Sequence, residues 1–225
     1  MSAKNIPVGI NGSSGKMGKM LRKAILQDGT FYLSAARNTN SDTTLQTLCK
    51  MAKIIFDFSS PKGTIALLEE TTKHSTKVII GTTGFNDKQM LYLKKMAKKN
   101  AILYAPNTTI GATALALASK AIEQILPSSF DTTILDIHHK DKKDAPSGTA
   151  LMISQQISRT HDHTTIRAGK SIGEHQVMFF GEDEEITLSH KVTSRKPFAL
   201  GAIKAAKWLL NKESGSLYSM QDVFL

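Results

Sequence analysis

The first half of this 225-residue chain alternates between short apolar segments of strand length and longer amphipathic segments of helix length. In one of the longer segments, Lys16–Gln27, the apolar residues Met17, Leu21 and Ile25 fall on one helical face. This alternation predicts a parallel sheet with helices on both of its faces. The predicted strands are Ile6–Ile10, Phe31–Ala36, Ile54–Phe58, Val78–Ile80 and Ala101–Tyr104, and further helices are predicted near Gly63–His74 and Asp87–Lys99.

The pattern changes after a predicted helix at Thr113–Ile125. β-rich segments then surround one main helix, Thr149–Ser158, before a last helix at Ala199–Leu210. Strands that no longer alternate with helices indicate an α+β second domain with an open mixed sheet. The predicted strands of this part are Thr132–His139, Thr164–Arg167, Gln176–Phe180 and Glu185–Val192.

The composition argues against several classes of protein. Cys49 is the only cysteine, so a disulfide framework is excluded and a reducing cytosol is expected. We find neither a signal peptide nor an apolar run of membrane-spanning length, and we expect a cytoplasmic protein without a membrane partner. The formal net charge of +10 is spread along the chain without a nucleic-acid-binding motif, so it favours anionic small ligands over nucleic acid.

A glycine-rich turn follows the first predicted strand and opens the first predicted helix. Glycines let a backbone approach a pyrophosphate closely, and a helix N-terminus attracts its negative charge. The spacing is Gly-x-x-Gly-x-x-Gly rather than the more familiar Gly-x-Gly-x-x-Gly, so a plain glycine-rich turn remains the alternative. The residues predicted to bind a dinucleotide here are Gly12, Ser13, Ser14, Gly15, Lys16 and Met17.

Three further loops follow predicted strands of the same sheet, and such sheets bind ligands at the carboxyl ends of their strands. Ordinary strand-to-helix turns favour the same residue types, and this reading stays equally open. The cofactor-binding residues predicted in these loops are Phe58, then Gly81, Thr82 and Thr83, then Ala105, Pro106, Asn107 and Thr108.

The second predicted strand ends without the acidic residue that binds the ribose hydroxyls of NAD in many such sheets. Arg37 and Asn38 stand there instead. Arg37, together with Lys16, is placed to face the 2′-phosphate of NADPH, while a solvated surface position for Arg37 is the alternative. We therefore expect NADPH or NADH as the cofactor, with NADPH accepted at least as well as NADH.

The segment from Asp136 to Ala150 combines two imidazoles, a lysine and a Pro-Ser-Gly-Thr turn. It joins a strand end to a helix start, a geometry suited to holding an acidic molecule and giving it a proton. Ser147 has no Gly-x-Ser-x-Gly elbow around it, so we expect it to cap the helix rather than to act as a nucleophile.

The histidines do not indicate a metal centre. His138 and His139 point to opposite sides of an extended chain and are not expected to share a metal ion. His161 and His163 have a spacing that would suit a metal, but they lie in a polar turn and are interpreted as loop residues.

The Asp136–Ala150 segment resembles the signature of the dihydrodipicolinate reductase family, Glu-x-His-His-x-x-Lys-x-Asp-Ala-Pro-Ser-Gly-Thr-Ala, with Asp136 in place of the glutamate. The glycine turn, the Gly81–Phe85 loop and the segment around Asn107 resemble the cofactor loops of the same family. Other matching segments, which extend the resemblance over nearly the whole chain, are Ile166–Gly169, Gly173–His175, Thr193–Arg195 and Phe198–Ala202.

The resemblance implies a role for several of these residues. His138 matches the general acid, and Lys142 matches the lysine that carries charge to the substrate and helps its protonation. The activity implied is NAD(P)H-dependent reduction of dihydrodipicolinate (4-hydroxy-tetrahydrodipicolinate) to tetrahydrodipicolinate, a precursor of lysine and diaminopimelate. The substrate contacts expected are His139, Ser147, Gly148, Thr149 and Thr83.

We therefore expect an α/β protein with two domains. Residues 1–109 and 196–225 would form a Rossmann-like domain that binds the dinucleotide. Residues 110–195 would bind the cyclic dicarboxylic imine and assemble a homotetramer. The chain is short for the family between Asn40 and Ile54 and between His163 and Ser171. Two alternatives remain, which are another dehydrogenase of the same architecture, acting on a semialdehyde or a sugar, and a nucleotide-sensing module without catalysis.

Overall fold

The computed structural model of the protein describes residues 5–225, which fall into two compact units. One unit contains the described residues up to Thr108 together with Phe198–Leu225, and the other contains Thr109–Pro197. The first carries a six-stranded sheet and the second a four-stranded sheet. This architecture confirms the predicted fold class, a Rossmann-like parallel sheet with a separate open mixed sheet.

The sheet of the first unit consists of β1 (Ile6–Asn11), β2 (Phe31–Arg37), β3 (Ile54–Asp57), β4 (Lys77–Ile80), β5 (Ile102–Tyr104) and β10 (Leu217–Tyr218). These strands are all parallel and lie in the order β10-β5-β4-β3-β1-β2. The strand order therefore reverses between β1 and β3. A reversal of this kind opens a crevice at the carboxyl ends of the two strands, where α/β sheets bind their ligands.

Helices cover both faces of this sheet, as the sequence predicts. Successive residues of a strand point to opposite faces, so Ile55 and Phe56 of β3 enter two different apolar clusters. One cluster includes Leu21, and the other includes Leu67 and Leu93. The helices on the Leu21 side are α1 (Lys16–Asp28) and α7 (Lys196–Leu209), and those on the other side are α2 (Leu45–Met51), α3 (Pro61–Thr71) and α4 (Asp87–Ala97).

The second unit contains the strands β6 (Asp131–His138), β7 (Asp162–Arg167), β8 (Gly173–Phe180) and β9 (Glu185–Val192), and the helices α5 (Ile110–Glu123) and α6 (Gly148–Ser154). Its sheet has the order β7-β6-β8-β9, with β6 parallel to β7 and the other pairs antiparallel. One face buries Ile134, Val177 and Phe179 against the helices. The opposite face is less covered, because its residues Leu135 and Met178 are only half-buried.

The structure differs from the predicted elements in several places. The sequence analysis missed α2, in which only Leu48 and Cys49 are buried, and it missed the two-residue strand β10. Helix α6 ends at Ser154 rather than at Ser158. A tight turn follows Ser154 directly. His163 lies on β7, in register with Ile134, rather than in a loop, so the prediction for that residue was wrong.

No helix among residues 5–225 combines the length and the apolar character that crossing a membrane requires.

Candidate active site

The core-facing side of the four-stranded sheet becomes polar towards the end of β6. On β6, Ile134 belongs to the apolar core, and Asp136 and His138 follow on the same face because alternate residues of a strand share a side. Asp136 pairs across the sheet with His175 of β8, and all three polar residues are buried. A single sheet face thus changes from a hydrophobic core to a cluster of titratable groups.

Asp136 is the centre of this cluster and is 0% exposed. Its Oδ2 atom accepts hydrogen bonds from the backbone N–H of Ser147 at 2.7 Å and from Nη2 of Arg167 at 2.9 Å, and its Oδ1 atom lies 2.6 Å from Nδ1 of His138. Burial alone would raise the pKa of the Asp136 carboxyl. The contacts with His138, Arg167 and Ser147 outweigh burial and lower this pKa below its ordinary value of 3.8, so Asp136 is an anion at neutral pH.

The anionic Asp136 decides which nitrogen of His138 carries a fixed proton. Nδ1 of His138 and Oδ1 of Asp136 form an ion-pair contact rather than an aligned hydrogen bond, and a carboxylate at this distance favours the tautomer that carries its proton on Nδ1. The other ring nitrogen, Nε2, takes no part in this pairing. It faces Gly173 of β8, where an added β-carbon would lie 3.1 Å from it, so that glycine leaves space beside this nitrogen.

His175 stays neutral beside this pair, because burial lowers its pKa to about 3. Its Nε2 atom lies 3.2 Å from Oγ of Ser147 and 3.5 Å from Oδ1 of Asp136. Ser147 Oγ also accepts a hydrogen bond from the N–H of Ala150, which confirms its predicted role as the cap of α6. A catalytic triad places serine and carboxylate on different imidazole nitrogens, so this arrangement does not make Ser147 a nucleophile.

Asp136, His138 and His175 also offer three ligand atoms within 4.8 Å of one another, which is compatible with a metal site. Asp136 and His138 form an ion-pair contact of 2.6 Å, and Arg167 brings positive charge to the same carboxylate, which reduces its attraction for a cation. We therefore interpret the cluster as a group that holds a proton, and the absence of a metal remains a prediction.

The other residues predicted to contact the substrate lie around the loop after β6. Nζ of Lys142 lies 2.8 Å from each carboxylate oxygen of Asp144, a pairing that the sequence analysis did not anticipate. His139 is half-buried, and Gly148 and Thr149 form the first turn of α6. Thr83, which was also predicted to contact the substrate, is an exposed residue in the loop between β4 and α4 of the first unit.

The glycine turn of the first unit joins β1 to α1. Gly12 has a φ of +87°, and an added β-carbon there would lie 2.3 Å from the carbonyl oxygen of Phe58, so that only glycine fits. The N–H groups of Gly12 and Ser13 each donate to the carbonyl oxygen of Arg37 at 2.9 Å. The end of β2 is therefore fixed against the turn in which a dinucleotide is predicted to bind.

The start of α1 differs from the starts of α2 to α6. Gly15 occupies its N-cap and has no side chain with which to cap the first turn, where Lys16 and Met17 follow. Uncapped N–H groups at a helix start favour an anion. By contrast, side chains cap α2 through α6, namely Thr44, Ser60, Asn86, Thr109 and Ser147.

The remaining predicted cofactor residues occupy the carboxyl ends of the strands. The Phe58 ring packs so closely on Gly81 that an added β-carbon at Gly81 would lie 2.1 Å from it. Oγ1 of Thr82 accepts a hydrogen bond from the N–H of Ser59 at 3.0 Å, which joins two of these loops. Ser14 is exposed, Asn38 and Pro106 are half-buried, and Ala105, Asn107 and Thr108 are buried.

A polar row that the sequence analysis did not single out crosses the same end of the sheet. Arg37, Asn11 and Asp57 are the last residues of β2, β1 and β3, and Asn11 is in register with both neighbours. Nδ2 of Asn11 donates to Oδ1 of Asp57 at 2.8 Å, and Nη1 of Arg37 donates to Oδ1 of Asn11 at 3.2 Å. Burial raises the pKa of Asp57, although the hydroxyl groups of Ser59, Thr64 and Thr82 also contact its carboxyl.

Sequence reasoning missed the structural roles of Asp136, His175, Arg167, Asn11 and Asp57. A signal was present for two of them. Asp136 and His175 occupy positions on their strands where the alternation of the sequence requires an inward-facing residue. A polar residue in such a position needs buried partners, and this requirement marks it as structurally or chemically important.

The parallel sheet, its strand-order reversal and the separate mixed sheet define a protein of the Rossmann-like α/β class with a second, mixed-sheet unit. Two family models match the chain, the N-terminal part of dihydrodipicolinate reductase over residues 6–108 and its C-terminal part over residues 111–224. The chain belongs to the dihydrodipicolinate reductase family.

Individual relatives agree with this assignment. The chain is 38% identical to 4-hydroxy-tetrahydrodipicolinate reductase of Rickettsia bellii, over 97% of this chain and 94% of that relative. It is 35% identical to the enzyme of the same name from Buchnera aphidicola subsp. Cinara cedri, over 95% of each chain. Among solved structures, a dipicolinate-bound dihydrodipicolinate reductase from Paenisporosarcina sp. TG-14 shares the fold, with a TM-score of 0.76 and 22% identity over 97% of this chain and 99% of that one.

Replacement of the central carboxylate tests whether it stabilises the second unit. At about pH 7, Asp136→Asn should lower the free energy of unfolding by about 3 kcal/mol or more, because Arg167 would lose its buried ion-pair partner. The folded-state pKa of Asp136 lies below its ordinary value of 3.8, so this contribution is complete above about pH 4 and is lost as the pH falls through the folded pKa.

Urea unfolding of both proteins between about pH 7 and pH 3 measures this difference. The matched control is Asp131→Asn, at an exposed position at the start of the same strand, which should change stability by less than about 0.5 kcal/mol. A difference for Asp136→Asn that stays constant, or grows, down to about pH 3 would show that the Asp136 charge is not its source.

Proposed function

We propose that the protein reduces dihydrodipicolinate (4-hydroxy-tetrahydrodipicolinate) to tetrahydrodipicolinate, with His138 as the proton donor. The observation that carries this proposal is the 2.6 Å contact between Oδ1 of Asp136 and Nδ1 of His138. Because Nδ1 faces the carboxylate, Nε2 is the nitrogen from which a proton would pass to the substrate. Family membership supplies the reaction, and this contact gives the chain a residue with the chemistry that the reaction needs.

The second unit is proposed to hold the cyclic dicarboxylate. Lys142 supplies a cation, and the first turn of α6 at Gly148 and Thr149 supplies N–H groups beside the Ser147 cap. His139 provides a further polar contact in the same loop. Asp144 forms an ion pair with Lys142 in the absence of substrate, and a carboxylate of the substrate replaces the Asp144 carboxylate as the partner of Lys142.

The first unit is proposed to hold the cofactor at the carboxyl end of its parallel sheet. When bound, NADPH or NADH supplies the hydride that reduces the conjugated double bond of the ring. The uncapped start of α1 receives the pyrophosphate, the Phe58, Gly81–Thr83 and Ala105–Thr108 loops surround the remainder, and Arg37 faces the 2′-phosphate.

The direct test is oxidation of NADPH or NADH by the purified protein, with the substrate made in situ from pyruvate and aspartate semialdehyde. Oxidation that requires both precursors and yields tetrahydrodipicolinate supports the proposal, and binding of the cofactor without turnover would favour the nucleotide-sensing alternative.

The semialdehyde dehydrogenase alternative lacks the nucleophile that it needs. The chain has a single cysteine, Cys49, which is buried in the first unit, and burial raises its thiol pKa to about 12. A reactive cysteine needs a low pKa, so Cys49 is unsuited to attack an aldehyde.

His138→Ala should lower kcat by about 10²–10⁴-fold while KM changes little, because a general acid acts mainly in the transition state. Steady-state kinetics with saturating cofactor measure both constants. His163→Ala, a half-buried imidazole on the neighbouring strand β7, is the control and should retain near-normal kcat. Near-normal kcat in His138→Ala would remove His138 from this role.

Lys142 and Asp144 should have opposite effects on a dicarboxylate inhibitor, pyridine-2,6-dicarboxylate. Lys142→Met removes a charged contact worth about 1.5–3 kcal/mol, so inhibitor affinity and turnover should both fall. Asp144→Asn removes the carboxylate that competes for Lys142, so inhibitor affinity should rise. Isothermal titration calorimetry measures both changes, and unchanged affinity in Lys142→Met would place Lys142 outside the pocket.

The outward face of the four-stranded sheet is proposed to assemble a homotetramer. Leu135, Ile137, Met178 and Phe180 are half-buried on this face, where they lie among polar residues such as Gln176, and partly exposed apolar side chains on a sheet face are available for contact with another chain. Met178→Arg should reduce the particle mass measured by light scattering from about four chains of 24.6 kDa towards one. Leu26→Arg, at a highly exposed position on α1, is the control, and a wild-type monomer would refute the assembly.

A further inference from the structure

The polar row Arg37–Asn11–Asp57 lies where the strand order of the parallel sheet reverses. Its three residues end adjacent strands in register, so the backbone itself brings their side chains into one line. Only Arg37 was expected to contact a cofactor. The other two residues are buried, at 0% exposure, and they need a separate explanation.

The orientation of the Asn11 amide is fixed by what surrounds it. Nδ2 donates to Asp57 at 2.8 Å and to Oγ of Ser59 at 3.1 Å. The Asp57 carboxyl also receives the hydroxyl groups of Ser59 and Thr64, so it acts as an acceptor in this network. Because the NH₂ group must face Asp57, the amide oxygen must face the guanidinium of Arg37.

Arg37 is consequently held at two points. Its carbonyl oxygen accepts the N–H groups of Gly12 and Ser13, and its Nη1 donates to Asn11 at 3.2 Å. A guanidinium has five N–H donors, so one contact with Asn11 leaves the others for a phosphate. A side chain that is already oriented loses less conformational entropy when it binds a ligand.

We propose that Asn11, held by Asp57, is a positioning residue that orients Arg37 and thereby sets the preference for a dinucleotide with a 2′-phosphate. The inference rests on the proposed function, in which the first unit binds NADPH or NADH. In this view, the preference between NADPH and NADH depends on Asn11 at the buried end of β1 as well as on Arg37 at the end of β2.

The test is a double-mutant cycle read by cofactor binding in the absence of substrate. The dissociation constants of NADPH and NADH are measured by calorimetry for wild type, Asn11→Ala, Arg37→Ala and the double variant. The ratio of the two constants isolates the 2′-phosphate, since loosening of the whole site would weaken both cofactors alike. Arg37→Ala should reduce the preference for NADPH by about tenfold, the size of one charged hydrogen bond.

Asn11→Ala should reduce the preference by about threefold or more, because one of the two contacts that hold Arg37 is lost. It should have no further effect on the preference once Arg37 is absent. Thr64→Val is the matched control, since it removes another buried partner of Asp57 but does not touch Asn11 or Arg37. This variant should keep the wild-type ratio.

The other outcomes overturn the inference in distinguishable ways. If wild type binds neither cofactor, the proposed function fails together with the inference. If it binds both, and Asn11→Ala weakens them equally or acts equally without Arg37, the inference fails and the proposed function stands. Asn11→Ser replaces Asn11→Ala if the latter does not fold, because serine stays polar in this buried position but is too short to join Asp57 to Arg37.

Discussion

The buried carboxylate of Asp136 is the interaction on which the second unit depends. It joins the end of β6 to the start of α6 through Ser147 and to the end of β7 through Arg167. It also contacts His138, the residue proposed to give up a proton. A buried charge is costly unless its partners surround it, so the groups that stabilise Asp136 must be in place for the unit to fold. The same carboxylate that the fold requires therefore also orients His138.

In the first unit, Asp57 is the last residue of a central strand, as Asp136 is near the end of β6, but its electrostatic setting is different. Asp136 directly contacts a guanidinium and an imidazole, and its pKa is lowered. Within residues 5–225, the carboxyl of Asp57 contacts an amide and hydroxyl groups, and burial raises its pKa. The first arrangement fixes a negative charge beside the imidazole of His138. The second fixes the direction of a neutral amide, and through it the guanidinium of Arg37.

The sequence was sufficient for the fold class because periodicity carries that information locally. It was less informative where stability comes from few residues, as in α2, which buries only Leu48 and Cys49. The histidine segment could be recognised because its residues are contiguous. The partnership of Asp136 with His175, and that of Asn11 with Asp57, depends on the register between strands that are distant in the chain, and no local pattern specifies a register.

The hydroxyl group of Thr108 donates a hydrogen bond to the carbonyl oxygen of Phe198 at 2.7 Å. These two residues end and resume the first unit, so the chain leaves that unit and returns to it at a single point. The six-stranded sheet takes no strand from the intervening segment. In terms of topology, the second unit is an insertion into a complete parallel-sheet protein. A short linker between Thr108 and Phe198 would excise it and leave every strand of the sheet with its neighbours.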